Sequence, residues 1–373
     1  MTIRELTTYL ETLAPLAYQE SYDNAGLLVG DPATTVTGVL VSLDATEAVV
    51  EEAVARGCNL VVAHHPIVFR GLKKLNGRNY VERTVIKAIK QDVAIYATHT
   101  NLDNVIGGVN FKIAERLGLQ NVRILAPKGD TLMKLVTFVP TAEEGSQYAE
   151  ATQTVLDALY AAGAGEIGKY DHCSFRLTGS GTFRGGEEAN PEIGAVGEDT
   201  VVRENRLEVI FPAHRQHAIL QALRRAHPYE EVAYYLNLLA NANQEVGAGA
   251  VGELAEPLDE LAFLAFLKER MAASVVRHTP LLGRPVRRVA VCGGAGGFLL
   301  GDAVRAGAEV FVTADYKYHE FFDADGRILI ADIGHYESEQ FTKELIQQQL
   351  LKKFANFAVI LSETVTNPVH YFV

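Results

Sequence analysis

Apolar and polar positions along the chain fall into two rhythms. Residues 36–43 (VTGVLVSL) form a short, continuous apolar run rich in β-branched side chains, and residues 45–56 (ATEAVVEEAVAR) place apolar side chains at helical spacing until Gly57 stops them. The pair recurs as strand 59–63, helix 80–91, strand 93–97 and helix 109–117. Strands alternating with helices predict a mostly parallel sheet with helices on its faces.

After Gly118 the rhythm changes. Residues 131–140 predict a strand, 142–162 a long helix and 170–178 a strand; a glycine-rich tract, 179–197, precedes strand 206–211, helix 214–226 and strand 232–239. That β-α-β-β-α-β order is the split βαβ, ferredoxin-like arrangement. Residues 241–252 (NANQEVGAGAVG) are small and flexible in composition and predict a boundary. Alternation then resumes with helix 258–272, strand 286–292, helix 301–305, strands 309–313 and 327–331, helix 338–354 and strand 358–361. The matching outer thirds predict an α/β fold: a discontinuous core of mixed, mostly parallel sheet with flanking helices (residues 1–125 and 248–373), interrupted by a ferredoxin-like α+β insert (residues 126–247). Three independent domains in a row are the alternative.

Composition narrows the function classes. The 373 residues suffice for two or three cores, and 48% hydrophobic with 21% charged residues is ordinary for a soluble globular chain. A net charge of −12 with no basic patch argues against nucleic acid or anionic lipid as a partner. No apolar run approaches the ~18 residues of a membrane span, and residues 1–5 open no signal-peptide core, so the expected location is cytoplasmic. Cys58, Cys173 and Cys292 are far apart and odd in number, which disfavours a disulfide framework or a thiolate zinc site. The 11 histidines become the candidates for chemistry.

Four stretches that follow predicted strands gather metal-ligand side chains: His64 and His65 in VVAHHPIVF, His99 and Asp103 in YATHTNLD, Asp315 and His319 in VTADYKYH, and His335 with Glu339 in IADIGHYESE. Ligands of open α/β sheets bind beyond the carboxyl ends of the strands, so these strand ends can meet in one crevice. His64 and His65 would diverge inside a strand, but at a strand end before Pro66 each can reach one of two neighbouring ions. His335 and Glu339 stand four apart at a predicted helix start, on one face. Three imidazoles (His64, His65, His335) and two carboxylates (Asp103, Glu339) exceed the usual three protein ligands of a catalytic zinc. They suit two divalent ions ~3.5–4 Å apart with one bridging carboxylate. With N and O donors, Zn, Fe, Mn, Ni and Co are all admissible. His99, Asp315 and Asp332 are candidates to orient the ligating imidazoles. His319 reads either as a general acid or as a hydrogen-bonded strand-end residue; His214, His217, His227, His278 and His370 carry no assignment.

Two glycine motifs resemble phosphate-binding loops. CGGAGG at 292–297 invites a dinucleotide reading but lacks the third glycine of G-x-G-x-x-G, and otherwise reads as a tight turn whose amides can meet an anion. Residues 163–169 fit G-x-x-x-x-G-K, yet Tyr170 replaces the Ser or Thr and the helix precedes the motif.

Taken in order, DNAGLLVG, HHPIVF, THTNLD, TADYKYH and DIGHYESE resemble the Nif-three-like family of dinuclear-metal-centre proteins, whose members are often labelled GTP cyclohydrolase I type 2 homologues. KYDHCSFRLTGSGTFRGG and HPYEEVAYYL resemble the inserted PII- and CutA-like domain of longer bacterial members. The resemblance implies His64, His65, Asp103, His335 and Glu339 as metal ligands with Glu339 bridging, and a toroidal homohexamer whose sites face an internal cavity. Tyr22 stands where the family often has Trp, and Ala314 where it often has Gly beside Asp315.

Two functions follow as expectations. One is a metal-dependent hydrolase acting on a nucleotide or small phosphorylated, anionic substrate, with His319 or Asp315 moving the proton. The other is a metal-binding, trafficking or regulatory scaffold whose insert senses a ligand.

Overall fold

The computed structural model describes residues 1–141 and 147–372. Before the insert the strands are β1 (Gly26–Val29), β2 (Val39–Ser42), β3 (Leu60–Ala63), β4 (Ala94–Ala97) and β5 (Gln120–Lys128). The insert holds β6 (Leu132–Pro140), β7 (Phe175–Arg184), β8 (Asp199–Pro212) and β9 (Tyr234–Leu239). The chain returns through β10 (Asn243–Leu258), β11 (Arg277–His278), β12 (Val286–Ala295), β13 (Val310–Ala314), β14 (Leu329–Asp332) and β15 (Val359–Leu361). It divides into two compact units, Met1–Pro127 with Glu245–Val373, and Lys128–Gln244.

The first unit is mixed α/β. One sheet has the order β1-β4-β3-β2-β15, parallel except for β1; the other has the order β11-β14-β13-β12-β10-β5, with β12, β13 and β14 parallel. The continuous apolar runs of these strands are explained by burial on both faces. Val39, Val41, Leu60 and Val62 share a core with Val310, Val312, Leu329 and Ala331, while Leu40 and Val61 face the helices Glu47–Ala55 and Tyr80–Lys90. Phe311 and Ile330 turn to a third cluster that includes Leu299, Leu300 and Ala303. Period-two alternation thus sorts each strand between two cores.

The two units divide between Gln244 and Glu245, inside the boundary expected over residues 241–252, but that stretch is largely strand rather than flexible: β10 begins at Asn243. Its small side chains serve close packing. A Cβ on Gly247 would sit 2.2 Å from the Ala126 carbonyl oxygen of β5, and one on Gly252 would sit 3.0 Å from that of Gln120. Composition that imitates a linker is here the condition for two strands to approach.

The second unit is an antiparallel sheet of order β7-β8-β6-β9 with the helices Ala151–Ala161 and Gln216–Ala226, in the β-α-β-β-α-β order. Leu135, Val139, Leu207, Val209 and Phe211 pack with Val155, Leu159, Ile219 and Leu223 of those helices. The helix expected over 142–162 is seen as Ala151–Ala161; its residues 142–146 lie outside the described residues. Among the described residues no helix is long and apolar enough to cross a membrane.

Candidate metal centre

The parallel strands of the first unit deliver the site. His64 and His65 follow β3 directly, and Asp103 closes the short helix Thr100–Asp103 after β4. His335 and Glu339 begin and end the helix His335–Glu339 after β14. The i, i+4 spacing turns both toward the imidazoles of the other sheet: His335 Nε2 lies 3.1 Å from Glu339 Oε2.

The donors sort into two sets around Glu339, which is 4% exposed. Its Oε2 lies 2.9 Å from His65 Nε2 and 3.1 Å from His335 Nε2, and those two nitrogens are 3.3 Å apart. Its Oε1 lies 3.8 Å from His64 Nε2, which is itself 3.7 Å from Asp103 Oδ1. His64 is fully buried, yet neither of its ring nitrogens has a hydrogen-bond partner, and Asp103 Oδ1 is likewise buried and unpaired. Orphaned polar atoms of this kind are costly unless something else satisfies them. Donors sharing a tetrahedral ion through ~2.1 Å bonds stand about 3.4 Å apart, and His64, His65 and Glu339 each place a ligand atom within 4.8 Å of the others, so they form a candidate metal-binding group.

The electrostatics agree. Burial pushes Asp103 up, and the neighbouring Glu339 charge adds to this. Burial opposes ionisation of Glu339 too, but hydrogen bonds from the surrounding imidazoles prevail and hold it well below the usual carboxylate range. Burial would lower His65 and His335; their carboxylate partners outweigh it and raise them to about 10 and about 11. A metal ion at these imidazoles would therefore compete with protons for the same nitrogens.

Around the donors stand the residues that aim them. His65 Nδ1 is 2.7 Å from Asp44 Oδ1, and the Thr366 hydroxyl donates to the other oxygen of Asp44. His335 Nδ1 is 2.7 Å from Asp315 Oδ2. Asp315 has a left-handed backbone, φ 59°, one residue after Ala314. His99 lies with its ring centroid 5.5 Å from those of both His64 and His65, and its Nδ1 is 2.6 Å from Asp23 Oδ1. Asp332 meets no ligating imidazole; it accepts from the Tyr316 and Gly334 amides and from Arg277, fixing the turns that carry Asp315 and His335.

The structure thus brings His64, His65, Asp103, His335 and Glu339 together, with Asp315 against His335. It does not bring in His319, which is exposed with its ring against Tyr318 and Phe322 and makes no contact with the cluster among the described residues. Asp44 and Asp23 were missed in the sequence, although Asp44 follows β2 as the ligands follow β3 and β14, and Asp23 opens DNAGLLVG.

The CGGAGG turn serves the cluster by closeness. The Gly293, Gly294 and Gly296 amides donate to Asn110, Ser338 and Thr313, so they are not a free anion cradle. Gly294 has φ 60°, and a Cβ there would lie 2.6 Å from Glu339 Oε1. Gly163, the first residue of the other glycine motif, closes the helix Ala151–Ala161 with φ 94° and opens no phosphate loop.

A fold with paired sheets delivering imidazoles and carboxylates from strand ends defines a candidate metal-binding α/β protein. The chain belongs to the Duf34/NIF3 (NGG1p interacting factor 3) family, whose model matches residues 1–368. It is 38% identical over 372 residues to a Bacillus subtilis (strain 168) protein named GTP cyclohydrolase 1 type 2 homolog, covering 98% of this chain and 97% of that one. The crystal structure of a Bacillus cereus protein related to NIF3 is similar at TM-score 0.86 and 36% identity, covering 100% of this chain and 99% of that one. That of a Staphylococcus aureus protein is similar at TM-score 0.78 and 30% identity, with the same coverage.

Proposed function

We propose that the chain holds two divalent metal ions, one among His64, Asp103 and Glu339 and one among His65, His335 and Glu339, and acts as a metal-dependent hydrolase on a nucleotide or small phosphorylated substrate. The observation that carries the reading is the division of Glu339: each carboxylate oxygen faces its own donor set. Two such ions would supply Lewis-acid polarisation of a substrate oxygen and of water.

The chain's own residues do the rest. Asp44 and Asp315 accept hydrogen bonds from Nδ1–H of His65 and His335, which leaves the Nε2 lone pairs aimed at the Glu339 side. They are positioning residues, and Asp315 is committed to that task rather than to proton transfer. The cleft beside them has a volume of about 670 Å³, within the range of small-ligand sites. Arg277 on its wall is already paired with Asp332, so attraction for a phosphate would rest on the two ions.

The homologue's name supports GTP ring opening with formate release as the reaction to try first. Exposed Tyr318 and Phe322, 74% and 67% accessible, support self-association into the homohexamer that the family resemblance implies. The connectivity of the second unit supports a PII- and CutA-like insert, and three free cysteines support a cytoplasmic location.

The test is a screen of GTP, other nucleotides and phosphoesters with metal-loaded protein and with Glu339→Ala, following formate and phosphate. Turnover lost in the variant supports the proposal. Equal product from both proteins, or metal-replete protein with no turnover on any of them, contradicts it; the second outcome favours a metal-binding scaffold.

A further inference from the structure

The second unit carries a cavity that metal chemistry does not use. Helices cover one face of its sheet, and residues of opposite parity along the strands, Phe138, Glu204, Phe183 and Tyr235, occupy the other. There a cavity of about 480 Å³ opens, walled by the rings of Phe138, Phe183, Tyr229 and Tyr235 and by Glu204. The rings are mutually braced: Phe138 and Tyr235 meet edge to face at 5.7 Å, and Phe183 and Tyr229 at 6.4 Å.

Glu204 is the unusual member. It is 9% exposed, its Oε1 accepts from the Tyr229 hydroxyl at 3.1 Å, and no Lys, Arg or His among the described residues forms an ion pair with it. Its seat is made by an absent side chain, because a Cβ on Gly181 would lie 2.1 Å from Glu204 Oε2. A carboxylate held nearly out of water with one neutral donor and no counter-charge is costly. The remaining charge around the cavity has the same sign. Among the described residues Glu192, Glu230 and Glu231 line it, against the single base Arg184, whose guanidinium donates to the Gly197 carbonyl and lies 4.0 Å from Asp199.

An anion is therefore disfavoured; the walls nearest Glu204 are aromatic, and Glu192 and Glu230 already accept from the Tyr148 hydroxyl and the Asn190 amide, which favours an organic cation over a hard divalent ion. Aromatic faces beside a buried carboxylate are the recognition chemistry of alkylammonium groups. We propose that this cavity binds an organic ammonium ligand, its cationic head against Glu204 and its alkyl groups against the rings of Phe183, Tyr229 and Tyr235. The volume lies within the range of sites for small organic molecules.

Isothermal titration of the full-length chain with choline at physiological salt tests this, with the neutral isostere 3,3-dimethylbutan-1-ol and calcium as comparison probes. Saturable choline binding is expected, with the isostere at least about tenfold weaker. Glu204→Gln should weaken choline about tenfold or more, with circular dichroism unchanged and a melting temperature no lower than the parent's. Phe183→Ala keeps the charge and should still weaken choline several-fold, which preserves the test if Glu204→Gln does not fold. The proposal is overturned by absence of saturable choline binding at millimolar concentration, by an isostere that binds as well, by displacement of choline with calcium, or by a folded Glu204→Gln that binds choline as the parent does.

Discussion

Asp44→Asn probes how the cluster is aimed. Asp44 and Asp315 each stand 2.7 Å from the Nδ1 of a candidate ligand, but the Asp44 side chain is 32% exposed and that of Asp315 48%. The less solvated contact is the stronger one, and Asp44 is further pinned by Thr366. An asparagine keeps the shape, loses the charge and can present its N–H to Nδ1, which selects the imidazole tautomer with a proton on Nε2, facing Glu339. Partners of this kind are worth 10- to 100-fold in metal affinity, about 1.4–2.7 kcal/mol. Asp44→Asn should fall near the upper end and Asp315→Asn near the lower. Competition against a chromophoric chelator at fixed pH, with zinc and with cobalt, measures both. Asp44→Asn binding within about twofold of the parent, or a larger loss from Asp315→Asn, would refute the reasoning.

Gly294→Ala forces a Cβ to 2.6 Å from Glu339 Oε1 at a backbone φ of 60°. It should cost about 1–3 kcal/mol of stability and weaken metal binding together; a destabilised variant with unchanged metal affinity would show that Glu339 is not held as described. Glu52 clasps residues 362–364: burial would raise it, but hydrogen bonds from the Ser362 and Thr364 hydroxyls and the Glu363 and Thr364 amides prevail and hold it at about 2. Its contribution is present above the ordinary value of 4.5 and is lost as pH falls toward about 2. Glu52→Gln should therefore be less stable than the parent by about 1–2 kcal/mol at neutral pH, allowing for solvent screening, and the gap should close through that acid window. A gap that stays constant with pH in denaturant melts would remove Glu52 from the account.

Much of the site was legible because its candidate ligands sit where a simple rule looks for them. Each of β3, β4, β13 and β14 is an apolar run that ends just before a polar cluster, and β3 and β14 stop within three residues of His64 and His335. The His335 and Glu339 pair was readable from helical spacing alone. Asp44 was not, since one aspartate after one strand resembles any surface turn until the fold sets it against His65. His319 shows the opposite failure: it shares a segment with Asp315, but the 3-10 turn Tyr318–Ala324 carries it away. β10 was hidden by its glycines and alanines, whose meaning depends on how near β5 passes.

The central claim is a two-ion centre divided by Glu339. Element analysis with anomalous diffraction on the purified full-length chain tests it most directly. The account predicts two divalent ions per chain, one at His64 and Asp103 and one at His65 and His335, and loss of at least one in Glu339→Ala. A single ion that Glu339→Ala leaves in place, or ions bound away from these residues, would contradict it.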